Sequence, residues 1–326
     1  MYNLSKIFQQ KIIGPIKINL INIYLKNDCY LTMKKEHENN SSQEIENQIE
    51  KDIRRTFLHL DYFKNDINLG NLRKLLNLIA NSNKELGYVQ GMNFIAAFLL
   101  IKNKYSTKNL ARSFVTFDKL LNDHKYGISG LFSKDFPKLY LTIYQIDKLC
   151  IKYIPEIHKH FIKYDIKGIH WLSSCVLTLF LTNIRLIGID GYNIFFDLFY
   201  KNGWDILVKF LISLLMLNKD KILENKQSSE ILIFLLNDIW KTDFYDVKNL
   251  AMKLNIDQEI IELETNYVIN KTKSFGESPE QLGKLFKSKI TKKYIAVGTS
   301  IAVSTLMTIT GTLLFFRFKN KNNDKN

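Results

Sequence analysis

Apolar residues recur at helical spacing through most of this chain. Ile45, Ile49, Ile53 and Phe57 stand four apart, as one buried stripe of a helix does. Leu72, Leu75, Leu76 and Ile79 make a second such face, and Phe94, Ala97, Phe98 and Ile101 a third. Leu139, Ile143, Ile146, Leu149 and Tyr153 give a fourth, and residues 194–200 and 206–217 continue the pattern. Strand-like alternation and internal repeats are missing, so the predicted class is all-α. Residues 171–187 are nearly all apolar until Arg185. Their length and that charge favour a central core helix over a membrane span.

The stretch 294–316 follows another rule. It holds 23 residues without a charge, or about 34 Å of helix, enough to cross a bilayer core. Lys287, Lys289, Lys292 and Lys293 precede it, and Arg317, Lys319 and Lys321 follow. The pattern predicts a transmembrane tail anchor at 294–316, with residues 1–293 on the cytosolic side and 317–326 a short basic tail.

Charge changes the picture only at the ends. The formal net charge is +14. Residues 1–35 carry six lysines against one aspartate, and residues 284–326 nine basic residues against one aspartate. The body between them is nearly neutral, which argues against nucleic acid as a partner, since that needs a basic face on the fold itself. Cys29, Cys150 and Cys175 are odd in number and widely spaced, so neither a disulfide framework nor a zinc site is expected. Cys175 reads as a small core residue, and His158 and His160 as a solvated helix face rather than metal ligands.

Two short blocks carry the chemistry. The first runs from Gln48 to Phe57 and contains Ile49, Asp52, Arg55 and Thr56; the second is Gly87-Tyr88-Val89-Gln90-Gly91-Met92-Asn93. A guanidinium is planar, permanently charged and multidentate, and suits an anionic partner group. A carboxamide both donates and accepts hydrogen bonds. Asp52, one turn before Arg55, is placed to orient and pair with it. Arg54, adjacent and also basic, is the local competitor of Arg55. Gly87 and Gly91 let the backbone turn sharply. Tyr88 reads as a packing residue that positions the loop, and Asn93 as the cap of a helix beginning at Phe94.

These blocks resemble the TBC domain family, the GTPase-activating proteins of Rab GTPases. The family's Ile-x-x-Asp-x-x-Arg pattern lies here at Ile49, Asp52 and Arg55. Its Tyr-x-Gln pattern lies at Tyr88 and Gln90. Trp171 with residues 177–180 is similar to its Trp-containing helix, and Phe195, Asp197, Gly203 and Trp204 to a later region, with Phe196 where Trp is usual. Gly14-Pro15 suits the family's opening, while Leu58 replaces the usual proline. The resemblance implies a multi-helix domain over 12–240, preceded by an extension at 1–11 and followed by a helical tail and basic tether at 241–293. It implies that Arg55 and Gln90 act together as catalytic fingers in a Rab's nucleotide site, with Asp52, Thr56, Gly87, Tyr88, Gly91 and Asn93 in support. GTP and Mg²⁺ would come with the partner, so the chain needs no cofactor of its own. The lipid bilayer is the second expected partner, through 294–316, on endoplasmic reticulum, Golgi or mitochondrial outer membrane. The alternative within the same fold is a silent tether that binds a Rab without stimulating hydrolysis.

Overall fold

The computed structural model describes residues 43–274 except 105 and 107, and only the backbone of 272–274. The expected anchor at 294–316 and the basic ends lie outside the described residues. Among the described residues every regular element is helical. They fall into two compact units, divided between Asn255 and Ile256.

In the first unit, α1 (Gln43–Ile53) is followed by a 3₁₀ turn (Asp61–Lys64), α2 (Asp66–Ser82), α3 (Met92–Lys102) and α4 (Asn109–Asn122). Then come α5 (Ser129–Phe132), α6 (Pro137–Tyr153), α7 (Pro155–Lys163) and α8 (Gly168–Leu177). After a 3₁₀ turn (Leu181–Asn183) the chain runs through α9 (Ile184–Asn202), α10 (Trp204–Leu217), α11 (Lys219–Glu224) and α12 (Ser228–Leu236). A last 3₁₀ turn (Asp238–Lys241) leads to α13 (Phe244–Lys253). The second unit holds α14 (Asp257–Ser274).

Local chemistry sets several of these boundaries. Asn65 caps α2 by accepting the Ile67 N–H at 2.8 Å, and Asp243 caps α13 by accepting the Tyr245 N–H at 2.8 Å. Pro137 and Pro155 occupy the first turns of α6 and α7, where a missing N–H costs nothing. Two helices are buried almost all round and make the centres of packing. α3 packs on α2 and α4; α10 packs on α9, α13 and α6.

The apolar run 171–187 is not one helix. It breaks at residues 178–180, and its two arms meet at 86°. Leu179 and Phe180 take positive φ, 51° and 71°, and the Phe180 N–H closes on the Cys175 carbonyl at 2.6 Å, as at a left-handed helix terminus. Such backbone costs about 1–3 kcal/mol. Burying the Phe180 ring offsets it, at about 2–3 kcal/mol: the ring lies 4.6 Å from Phe195 and 5.2 Å from Trp240 between centroids. Among the described residues no single helix is long and apolar enough to cross a membrane.

α9 ends where Gly203 turns with φ 89°, and a Cβ there would lie 2.5 Å from the Lys125 carbonyl oxygen. That oxygen accepts the Trp204 N–H at 3.1 Å, so neither side can retreat without losing the bond. Gly203→Ala is therefore expected to destabilise the fold by at least about 2 kcal/mol, measured by denaturant unfolding.

Candidate functional site

α1 is docked on α2 by the bidentate pair of Glu50 with Arg73. It stops at Ile53, so Arg55 sits in the turn just beyond, not on the helix as the Asp-x-x-Arg spacing predicts. At the stop the Arg55 N–H bonds three residues back to the Asp52 carbonyl at 3.2 Å, and the Thr56 hydroxyl donates to the same carbonyl at 2.6 Å. The Thr56 N–H turns instead to the Ile53 carbonyl, and Phe57 follows with φ 50°. Phe57 still reaches the core, 5.5 Å from the Phe94 ring.

The second segment leaves α2 through a turn in which the Leu86 and Gly87 N–H groups both bond to the Asn83 carbonyl. Gly87 (φ 61°) and Gly91 (φ 109°) bracket the loop in conformations that favour glycine. A Cβ on Gly91 would stand 3.4 Å from the Phe132 ring and 3.5 Å from the Leu177 carbonyl oxygen. The glycine thus also lets the loop lie close to α5 and the end of α8.

Two side-chain bridges join the segments. Asp52, almost fully buried, holds the Arg55 guanidinium through Oδ1 at 2.5 Å and accepts the Tyr88 hydroxyl through Oδ2 at 2.5 Å. Burial, and then the bond to Asp52, hold the Tyr88 phenol well above its ordinary range, so it stays a donor. In the second bridge the Asn93 Nδ2 donates to Thr56 Oγ1 at 2.7 Å, while Asn93 Oδ1 accepts the Gly91 N–H at 3.0 Å. Asn93 does not cap a helix at Phe94: α3 starts at Met92 with Gly91 as its cap residue, and Asn93 lies inside the first turn.

Arg55 falls between Asp52 and Thr56, and Gln90 between Tyr88 and Gly91. The four bridging side chains, Asp52, Thr56, Tyr88 and Asn93, are buried, whereas Arg55 is 55% exposed and Gln90 is also exposed. The arrangement presents a cation and a carboxamide outward from two anchored turns. Arg54 is exposed as well, but none of these bridges involves it. The Thr56–Asn93 bridge spans 37 positions, and neither block alone signals it.

Elsewhere, His160 is buried and bonded to the Asn225 carbonyl at 2.9 Å, so it is not part of a solvated face. His158 faces Asp147 at 3.3 Å. Cys150 and Cys175 are buried free thiols whose pKa burial pushes up, so they stay protonated. Among the described residues no group of three His, Cys, Asp or Glu side chains is arranged to hold a metal.

The sequence profile of the Rab-GTPase-TBC domain matches residues 10–223. The GTPase-activating protein GYP5 of Saccharomyces cerevisiae is 29% identical over 192 residues, covering 59% of this chain and 20% of that protein. The human ecotropic viral integration site 5 protein homolog is 29% identical over 184 residues, covering 55% and 21%. The chain thus spans about a fifth of the length of each. The crystal structure of the Chlamydomonas flagellar RabGAP TBC domain shares the fold, with a TM-score of 0.57 at 17% identity, over 78% of this chain and 86% of that one. With its family profile matched over more than half its length, this chain belongs to the Rab-GTPase-TBC domain family.

Proposed function

We propose that this chain accelerates GTP hydrolysis by a Rab-family GTPase, supplying Arg55 and Gln90 to the partner's nucleotide site. The observation that carries this reading is the pair of buried bridges, Asp52 with Tyr88 and Thr56 with Asn93, which hold an exposed arginine and an exposed glutamine on neighbouring turns. Docked on GTP-bound partner, Arg55 stabilises the charge that builds on the γ-phosphoryl and bridging oxygens. Gln90 donates to the transferring group and accepts from the attacking water, holding it in line. Asp52 releases or re-aims the guanidinium without leaving Tyr88, because it uses a different oxygen for each. GTP and Mg²⁺ belong to the partner. The protein is in this sense not an enzyme but the donor of catalytic groups in trans.

The test is single-turnover GTP hydrolysis by a panel of Rab GTPases with and without the full chain. At least one Rab is expected to be accelerated, and Gln90→Ala is expected to lose most of that acceleration. Binding of a GTP-loaded Rab with no acceleration would support the silent-tether reading instead.

We further propose that residues 294–316 anchor the chain in an intracellular membrane, of endoplasmic reticulum, Golgi or mitochondrial outer membrane, which raises its concentration near Rabs on that surface. The support is an uncharged run of spanning length between two basic clusters. A chain lacking 294–316 is expected to leave the membrane pellet while keeping its rate in solution. Extraction of the intact chain by alkaline carbonate would contradict the anchor.

A further inference from the structure

The exposed Gln90 is followed by the buried Gly91, and two distant parts of the fold close on that glycine. A Cβ there would meet the Phe132 ring of α5 at 3.4 Å. It would also meet the broken end of α8, with the Leu177 carbonyl oxygen at 3.5 Å and the Thr178 Cγ2 methyl at 3.9 Å. Within its own segment the Gly91 N–H is held by Asn93 Oδ1. The Gln90 loop is thus tied from one side by a hydrogen bond and backed by side chains that lie far from it in sequence.

Thr178 has no freedom to turn its methyl elsewhere. It is buried, and its hydroxyl donates to the Ser174 carbonyl at 2.8 Å, lies 3.2 Å from the Thr182 hydroxyl and accepts the Thr182 N–H at 3.3 Å. Threonine is stiff at χ1, so a hydroxyl fixed on the carbonyl four residues back fixes the methyl with it. These bonds knot both arms of the 86° break together. The second arm is secured separately: Asn183 Nδ2 donates to the Leu236 carbonyl at 3.1 Å, and its 3₁₀ turn packs on α3 and α9. Leu179 and Phe180, which follow Thr178, hold the left-handed backbone of the break. Backbone outliers of this kind gather where a fold must position something, and here they stand beside the loop that carries Gln90.

We infer that Thr178 is a positioning residue for Gln90: its methyl, aimed by the hydroxyl knot, backs Gly91 and keeps the carboxamide placed for the attacking water. This rests on the GTPase-activating reading. Being buried, Thr178 acts only through the loop.

Two substitutions separate its two groups. Thr178→Ser removes the methyl and keeps the hydroxyl; Thr178→Val keeps methyl bulk toward Gly91 and removes the hydroxyl. Single-turnover hydrolysis by a responsive Rab is measured over a range of full-chain concentrations, beside thermal unfolding. Thr178→Ser is expected to lower kcat about tenfold and leave KM within about twofold. Its thermal midpoint is expected to fall by about 2–4 °C, as for one buried methyl in a domain of this size. Thr178→Val is expected to keep kcat within about threefold but to lose more of the thermal midpoint, because the Ser174 and Thr182 groups lose their partner. In a Gln90→Ala background, Thr178→Ser is expected to lower the residual rate no further, since nothing remains for it to position. An unchanged kcat for Thr178→Ser, in a chain that accelerates its Rab, overturns the inference. So does a loss confined to KM, or a tenfold loss that persists without Gln90. If the wild-type chain accelerates no Rab, the GTPase-activating reading fails and the positioning role falls with it.

Discussion

Arg55→Ala is expected to reduce acceleration of the responsive Rab by about 10³–10⁵-fold, the range of an arginine supplied in trans to phosphoryl transfer. That range corresponds to about 4–7 kcal/mol of transition-state stabilisation. The loss is expected in kcat, because a guanidinium that meets developing charge acts on the transition state more than on docking. Arg54→Ala serves as the internal control. It removes an equal charge one residue away, but a side chain that Asp52 does not hold, and is expected to change the rate by no more than about threefold, as a peripheral charge does. Removing the guanidinium takes the counter-ion from the buried Asp52 carboxylate, so the unfolding midpoint of Arg55→Ala is measured beside its rate, and Arg55→Lys, which keeps the charge, is expected to lose rate with the fold intact. Equal losses in Arg55→Ala and Arg54→Ala would mean that general positive charge, not a positioned finger, drives the effect.

Asn93→Ala is expected to destabilise the domain by about 3 kcal/mol, because two buried groups lose a partner at once. Asn93 is fully buried; its amide serves the Thr56 hydroxyl at 2.7 Å and the Gly91 N–H at 3.0 Å. Both groups are buried. The same change frees the loop that carries Gln90, and small misplacement of a positioning group costs about 10²-fold in rate. Thr56→Val removes the bridge from its other end while keeping the shape. The double variant is expected to be less damaging than the two single effects added together, as for residues in one network. Urea unfolding and single-turnover rates on the four proteins check this. Strict additivity in both would show that Thr56 and Asn93 act separately.

Much of the helical order was legible in the sequence, because amphipathic spacing survives without knowledge of the partner helices. The Leu72–Ile79 face and the Leu139–Leu149 face are both buried in the first unit. The break at 178–180 was not legible. No glycine or proline interrupts that run, and the left-handed turn there is bought by tertiary burial of Phe180 among Phe195 and Trp240. The end of α1 was not legible either: a threonine hydroxyl bonds the carbonyl four residues back both at this stop, from Thr56, and inside the unbroken α6, from Thr142.

The site was readable in its exposed members and not in their support. Arg55 and Gln90 stand out because the two blocks that hold them resemble the family's paired motifs in the right order and spacing; neither residue is persuasive alone. Asn93 invites a capping role by its place in the sequence, whereas its partner lies 37 positions away across the fold.

If the glutamine as well as the arginine comes from this chain, a responsive Rab whose own active-site glutamine is replaced by leucine remains a substrate for activation. The full chain is expected to accelerate single-turnover hydrolysis in this Rab to within about tenfold of the normal partner, and Gln90→Ala to abolish the effect. No acceleration of the leucine-substituted Rab, with the normal Rab accelerated as usual, would contradict it, since the partner would then be supplying the group that holds the water.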